Sequence, residues 1–158
     1  YVAVLAGWGG VWPLSPSGIL DGQKTPLRNI SRLLVFKLNG TAKLPPLPAP
    51  ETRPLDPPPF TGTAAQVASG SYNFGRYCSQ CHNDAALGAG TVTPDLRRSA
   101  ALENQDTWMS IVHDGALTSQ GMVSFTPSLT RDQMEDIRQY VIKRANEDKA
   151  LEQHGKKP

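Results

Sequence analysis

The sequence has little cysteine, little net charge and no long apolar run, and each shortage excludes a class of protein. Two cysteines are too few for the disulfide framework of a small secreted fold. A formal net charge of +2 gives no strong electrostatic reason to bind nucleic acid or an anionic membrane. No stretch approaches the roughly 18 consecutive apolar residues that a membrane-spanning helix needs. The 158 residues therefore predict about one domain, without a membrane span.

Three segments of the chain differ in composition. Residues 1–44 contain two apolar runs that resemble strands, and two strands alone are marginal, so we expect them to complete a larger sheet. Residues 45–60 include eight prolines and predict an extended, semi-rigid linker. Residues 61–150 have helical periodicity, and residues 151–158 are predicted to be a frayed tail. The chain opens at Tyr1 within an apolar run, which we interpret as a fragment of something longer.

The helical segment predicts three helices. Apolar and small residues on the inward face of the first recur at spacings of three and four, namely Val67, Gly70, Phe74 and Tyr77. The second is predicted over about residues 105–113. The third follows Thr130, which can form a capping box with Gln133, and is expected to end near residue 149. The predicted fold is therefore mainly α.

The segment Cys78-Ser79-Gln80-Cys81-His82 follows the first helix and has the C-x-x-C-H pattern of haem c attachment. Two thiols three residues apart on a helical turn can each add to a vinyl group on one porphyrin edge. The adjacent imidazole then faces the iron. Cys78 and Cys81 are therefore the predicted thioether residues, and His82 is the predicted axial ligand.

Three other interpretations of these cysteines stay open. The two thiols could be buried and unreacted beside a chance histidine. A thioredoxin-like dithiol shares the C-x-x-C spacing, but it is expected after an apolar strand rather than after a helix. Zinc needs four ligands, and His113 and His154 lack a paired metal-ligand spacing. The helical context favours haem over all three.

A second axial ligand is expected, and the candidates are Met109, Met122, Met134 and His113. Met109 and Met134 lie on predicted helices, where core packing explains a methionine. His113 ends a predicted helix, where a solvated imidazolium is favourable. Met122 follows Gly121 in a loop that has the freedom to bring a thioether to iron. Met122 is the predicted ligand, and a site with both positions filled favours electron transfer over peroxidase chemistry.

Residues 64–145 resemble a class I cytochrome c domain. Gly70 and Phe74, with Tyr140, match the positions where the first and last helices cross in that family. Pro94 lies twelve residues after His82, where family members place a proline whose carbonyl accepts a hydrogen bond from the axial histidine. The resemblance implies a class I cytochrome c fold for residues 61–150.

A longer resemblance, to the quinohaemoprotein alcohol dehydrogenases, covers nearly the whole chain. The similar segments are residues 2–10, 31–36, 94–97, 114–117 and 121–125. In that family a propeller that holds pyrroloquinoline quinone (PQQ) and calcium is joined by a proline-rich linker to a cytochrome c domain. Val123 stands where free cytochromes commonly have proline, and it lies within one of these similar segments.

This resemblance implies electron transfer in the periplasm. Haem c would accept electrons from reduced PQQ and pass them to a soluble blue copper protein or another cytochrome. PQQ and calcium would belong to the part of the parent enzyme outside this chain, which alone would be an electron-transfer module. Residues 1–44 would be terminal strands of the propeller.

Two further residues are candidates for contacts to the haem propionates, namely Arg97 and Trp108. The alternatives are a solvated arginine and a core tryptophan. The alternative functions are a free-standing periplasmic cytochrome c and, in a different class, a thiol–disulfide oxidoreductase.

Overall fold

The computed structural model describes residues 1–6, 32–46, 54–83, 85–88 and 93–155. Strands β1 (Val2–Ala6) and β2 (Arg32–Phe36) pair antiparallel, with Val4 opposite Leu34. Both predicted strands are therefore present. Val2 and Leu5 point to opposite faces of the pair and are 63% and 85% exposed, so apolar side chains stand on both faces. Apolar residues on both faces are typical of strands that are covered on both sides.

Helix α1 (Ala64–Tyr77) begins at Thr63, whose hydroxyl accepts a hydrogen bond from the Gln66 backbone N–H. The Gln66 side chain accepts in return from the Thr63 N–H, which completes a capping box that sequence reasoning missed. The one-turn helix α2 (Ser79–His82) follows directly, so the motif is held at the end of α1.

Helix α3 (Gln105–Val112) is one residue shorter than predicted and buries Trp108, Met109 and Val112. The Asn104 side chain accepts hydrogen bonds from the Asp106 and Thr107 N–H groups and thereby caps its start. Short 3₁₀ turns at Leu96–Arg98 and Ala100–Leu102 precede α3, and another at Thr118–Gln120 follows it.

Helix α4 (Arg131–Gly155) starts with the predicted capping box between Thr130 and Gln133. It runs to Gly155, whereas the sequence predicted an end near residue 149 and a frayed tail from residue 151. Tertiary contacts explain the difference, because Glu152 pairs with Arg98 at 3.3 Å and accepts a hydrogen bond from the Leu55 N–H at 3.5 Å. No helix among the described residues has the length and apolar character to cross a membrane.

Helices α1 and α4 cross at Gly70, as the resemblance implied. A Cβ atom at position 70 would lie 2.0 Å from the Asp136 carbonyl oxygen, so only glycine permits this approach. Phe74 packs beside Tyr140 with ring centroids 5.3 Å apart. The crossing fixes the end of α1, and with it the motif, against the core.

The last part of the predicted linker lies along α4. Leu55 is 2% exposed, and the Pro58 carbonyl accepts a hydrogen bond from the Asn146 side chain at 2.9 Å. Asp56 pairs with Lys149 at 2.7 Å. Residues 54–60 are therefore packed on the helical domain, although the sequence predicted a spacer there.

Candidate haem site

One cavity of about 420 Å³ brings together six of the predicted site residues, namely Cys78, Cys81, His82, Pro94, Trp108 and Met122. Its remaining walls are mainly apolar and include Leu96, Ile111, Leu117, Phe125, Leu129 and Ile137. This volume lies within the usual range for ligand and cofactor pockets. The cavity is formed by residues of α2, α3 and α4, of the segment 93–101 before α3, and of the loop between α3 and α4.

The motif residues are positioned by consecutive helical turns. The Cys78 N–H donates to the Phe74 carbonyl at 2.9 Å and ends α1, and the His82 N–H donates to the Cys78 carbonyl at 2.9 Å. The Cys78 side chain is buried and the Cys81 side chain is exposed. The two thiols therefore line the same cavity from positions one turn apart.

Burial, with a smaller contribution from the neighbouring Cys81, raises the pKa of the Cys78 thiol to about 12. Reactive cysteines of thiol–disulfide oxidoreductases have the opposite property, a lowered pKa that populates the thiolate at neutral pH. The environment of Cys78 thus argues against that alternative.

His82 is 5% exposed, and its Nδ1 lies 3.2 Å from the Pro94 carbonyl oxygen. A carbonyl can only accept, so Nδ1 carries the hydrogen and the lone pair is on Nε2. Burial lowers the pKa of His82, and the bond to Pro94 opposes that shift in part. The neutral imidazole is the form that binds a metal.

Two residues that the sequence analysis missed, Gly88 and Thr93, support the hydrogen bond between His82 and Pro94. A Cβ at Gly88, where φ is +73°, would lie 2.5 Å from the Thr93 oxygen and 2.7 Å from the Pro94 oxygen. The Thr93 hydroxyl donates to the Cys81 carbonyl at 2.5 Å. Gly88 thus lets the segment before Pro94 lie close to the motif. The spacing of Gly88 from the motif did not predict this contact, because the contact depends on the path of the loop.

Two methionines line the cavity, Met122 and Met134, whereas Met109 and His113 do not. Met134 is 1% exposed on α4, in agreement with its predicted role in the core. Met122 lies in the α3–α4 loop after Gly121, which has φ of +96°. The Met122 N–H donates to the Leu117 carbonyl at 3.2 Å. Met122 thus reaches the cavity from a loop, as the ligand prediction requires.

Arg97 and Trp108 both have partners within the protein. Arg97 does not line the cavity; its guanidinium donates to Asp95 at 2.7 Å and to Asp148 at 2.9 Å. Burial alone would lower the pKa of Arg97, but the hydrogen bonds and charges of these two carboxylates raise it overall. Trp108 lines the cavity, but its Nε1–H donates to the Met134 carbonyl at 2.8 Å. The structure therefore gives Arg97 an ion-pairing role and Trp108 a core role, and their contacts to the haem propionates stay a prediction.

The residues present fit a covalently attached haem c. Two thiols, a neutral imidazole and a thioether converge on one apolar cavity, and no further donor is needed for this cofactor. Among the described residues, no group of three or more His, Cys, Asp or Glu side chains is arranged to hold a metal ion. The zinc alternative therefore finds no ligand set in the described part of the chain.

Comparisons with known proteins identify relatives of this chain. Residues 65–141 match the family described as cytochrome c oxidase, cbb3-type, subunit III. The dehydrogenase subunit of the quinone-dependent alcohol dehydrogenase of Acetobacter aceti is 42% identical over 93% of this chain and 19% of that protein. Quinohemoprotein alcohol dehydrogenase ADH IIB of Pseudomonas putida is 41% identical over 94% of this chain and 21% of that protein.

A solved structure is similar as well. Quinohemoprotein alcohol dehydrogenase ADHIIG of Pseudomonas putida HK5 has a TM-score of 0.72 and 33% identity, over 96% of this chain and 21% of that one. This chain spans about a fifth of the length of the relatives that it matches. It is thus related over nearly its whole length to quinohaemoprotein alcohol dehydrogenases, and its helical part is a cytochrome c domain, for which haem c is the cofactor.

Proposed function

We propose that this chain transfers electrons through haem c held by thioether bonds to Cys78 and Cys81, with His82 and Met122 as axial ligands. The observation that carries this proposal is that all four side chains line one apolar cavity while Pro94 fixes the tautomer of His82. Haem c bound there supplies an iron centre that gains and loses one electron.

The residues of the chain control the environment of that centre. Apolar side chains from α3 and α4 keep water out of the cavity, which favours a defined reduction potential. Pro94 orients the imidazole, and Met122 would supply the second axial ligand. With both axial positions filled, no site is left for oxygen or peroxide, so electron transfer is the favoured chemistry.

The module would serve a PQQ-dependent alcohol dehydrogenase in the periplasm. In that enzyme it would accept electrons from reduced PQQ in the calcium-binding propeller and deliver them to a soluble blue copper protein or cytochrome. Similarity over 93% of the chain supports this assignment. The exposed apolar side chains on both faces of β1 and β2 also support it, because a free-standing cytochrome has no use for such strands.

The thiol–disulfide oxidoreductase alternative has a direct test. It predicts a colourless protein whose two cysteines both react with iodoacetamide. The haem proposal predicts a red protein whose thiols resist alkylation and whose mass includes one haem after acid–acetone extraction. A single measurement of intact mass before and after alkylation separates the two.

The axial ligand is tested by the weak near-infrared band of methionine bound to ferric haem. We expect this band to vanish in Met122→Ala. It should persist in Met109→Ala, because Met109 does not line the cavity, and in Met134→Leu, which keeps the core volume. Loss of the band in Met134→Leu with retention in Met122→Ala would transfer the ligand role to Met134.

A further inference from the structure

The loop that carries Met122 is closed at its base by hydrogen bonds from two hydroxyl groups. Ser124 Oγ donates to the His113 carbonyl at 2.5 Å, and Thr126 Oγ1 donates to the same carbonyl at 2.7 Å. The Phe125 N–H between them donates to the Val112 carbonyl at 2.9 Å. Residues 112–113 and 124–126 are thereby joined, with Met122 on the loop between them.

The shared acceptor is a carbonyl at the end of a helix. His113 is the C-cap of α3, and the last carbonyls of a helix have no partner within it. Ser124 and Thr126 supply those partners, and their hydroxyl oxygens are 3.0 Å apart. The Thr126 N–H also donates to Ser124 Oγ, at 3.3 Å, so Ser124 lies at the centre of the arrangement.

Met122 itself is held by its packing against the core and by one backbone hydrogen bond within the loop. The Met122 N–H donates to the Leu117 carbonyl at 3.2 Å, within the same loop. A Cβ at the preceding Gly121 would have no heavy atom within 4 Å. Val123, the next residue, is 52% exposed. The loop is attached to α3 by backbone bonds from Phe125 to Val112 and from Ala116 to Ser110, and by the side chains of Ser124 and Thr126. We name the group formed by Ser124, Thr126 and the His113 carbonyl the hydroxyl clasp.

We infer that Ser124 and Thr126 are positioning residues for the axial methionine: the hydroxyl clasp holds the loop in the conformation that presents Met122 to the cavity. This inference rests on the proposed ligation of haem iron by Met122. The loop exchanges between a closed conformation and open ones, and each clasp bond that is lost increases the open fraction. An external ligand that binds only the open form then binds more tightly in proportion to that fraction.

Imidazole titration of the ferric protein measures the open fraction, because imidazole must displace the methionine. We expect Ser124→Ala and Thr126→Val each to bind imidazole about fivefold more tightly, the effect of one typical hydrogen bond. The double variant should change by less than the product of the two factors, because both hydroxyls share one acceptor. Thr126→Ser keeps the hydroxyl and should restore the affinity of the unmodified protein.

Thr130→Ala is the matched control. The Thr130 hydroxyl caps α4, so its removal lowers global stability by a similar amount without touching the clasp. We expect its imidazole affinity to equal that of the unmodified protein. Equal tightening in Thr130→Ala would overturn the inference, because general destabilisation would then explain the result.

Met122→Ala in the same titration separates the two proposals. Much tighter imidazole binding in Met122→Ala, with no change in Ser124→Ala and Thr126→Val, overturns the clasp and leaves the ligand in place. Unchanged binding in Met122→Ala overturns the ligand itself, and the clasp inference falls with it. Tightening in Met122→Ala and in both clasp variants, with recovery in Thr126→Ser, supports both.

Discussion

At the scale of single residues, the orientation of His82 depends on a glycine that lies outside the motif. Gly88 has φ of +73°, and its N–H donates to the His82 carbonyl at 3.0 Å. The Pro94 carbonyl oxygen that accepts from His82 would lie only 2.7 Å from a Cβ at position 88. The proximal hydrogen bond is therefore set by backbone packing as much as by Pro94.

We predict that Gly88→Ala moves the Pro94 carbonyl away from His82. A weaker bond to Nδ1 makes the imidazole less basic, which stabilises ferric iron less and raises the reduction potential by on the order of tens of millivolts. Spectroelectrochemical titration measures this shift. A Gly75→Ala variant is the control, since a Cβ there has open space. An unchanged potential in a folded Gly88→Ala variant would contradict the role of Gly88.

The sequence predicted the residues of the site that depend on local spacing and not those that depend on distant contacts. The C-x-x-C-H pattern places Cys78, Cys81 and His82 on one helical turn, and the resemblance supplied Pro94. Arg97 was a candidate for a propionate contact, and the sequence did not predict its ion pair with Asp148, which is 51 residues away. No local pattern encodes that ion pair, because it exists only after α4 packs against the 3₁₀ turn at Leu96–Arg98.

At the scale of the helices, the crossing of α1 and α4 is the contact that orders the domain. Gly70 permits it, and a Cβ at that position would meet the Asp136 carbonyl carbon at 2.6 Å as well as its oxygen. Both atoms are backbone, so neither helix can relieve the clash by turning a side chain. The resemblance to cytochrome c implied this crossing from Gly70, Phe74 and Tyr140.

We therefore predict that Gly70→Ala lowers the free energy of unfolding by about 3 kcal/mol or more, the upper range for overpacking in a core. Gly75→Ala, on the same helix but in open space, should instead raise it by about 0.5–1 kcal/mol through its better helix propensity. Urea denaturation of the two variants gives both values. Equal stabilities would mean that the helices do not approach as closely as the structure has them.

At the scale of the whole molecule, residues 54–60 of the proline-rich segment are part of the helical domain. Leu55 is buried, and Asn146, Lys149 and Glu152 on α4 each bind this segment. Composition alone predicted a spacer, because prolines report extended backbone but not what that backbone packs against. The same contacts extend α4 beyond its predicted end.

We predict that Leu55→Ala lowers the free energy of unfolding by about 2–4 kcal/mol, as for other buried leucines. Amide hydrogen exchange should also accelerate over residues 146–155, since the segment covers that part of α4. Leu44→Ala is the matched control, because Leu44 is 62% exposed and should change neither measurement appreciably. A small effect of Leu55→Ala on both would mean that the segment detaches in solution.

The anchoring of residues 54–60 has a consequence for the rate at which a tethered redox partner is met. The stretch from Pro46 to Pro54 spans at most about 29 Å when fully extended, whereas a tether that continued to Phe60 would reach about 50 Å. Shortening a tether raises the effective concentration of one module at the other. In the proposed parent enzyme, the buried Leu55 would therefore confine the haem domain to a small volume beside the sheet to which β1 and β2 belong. The haem would then stay close to the propeller for each of the successive electrons that it accepts.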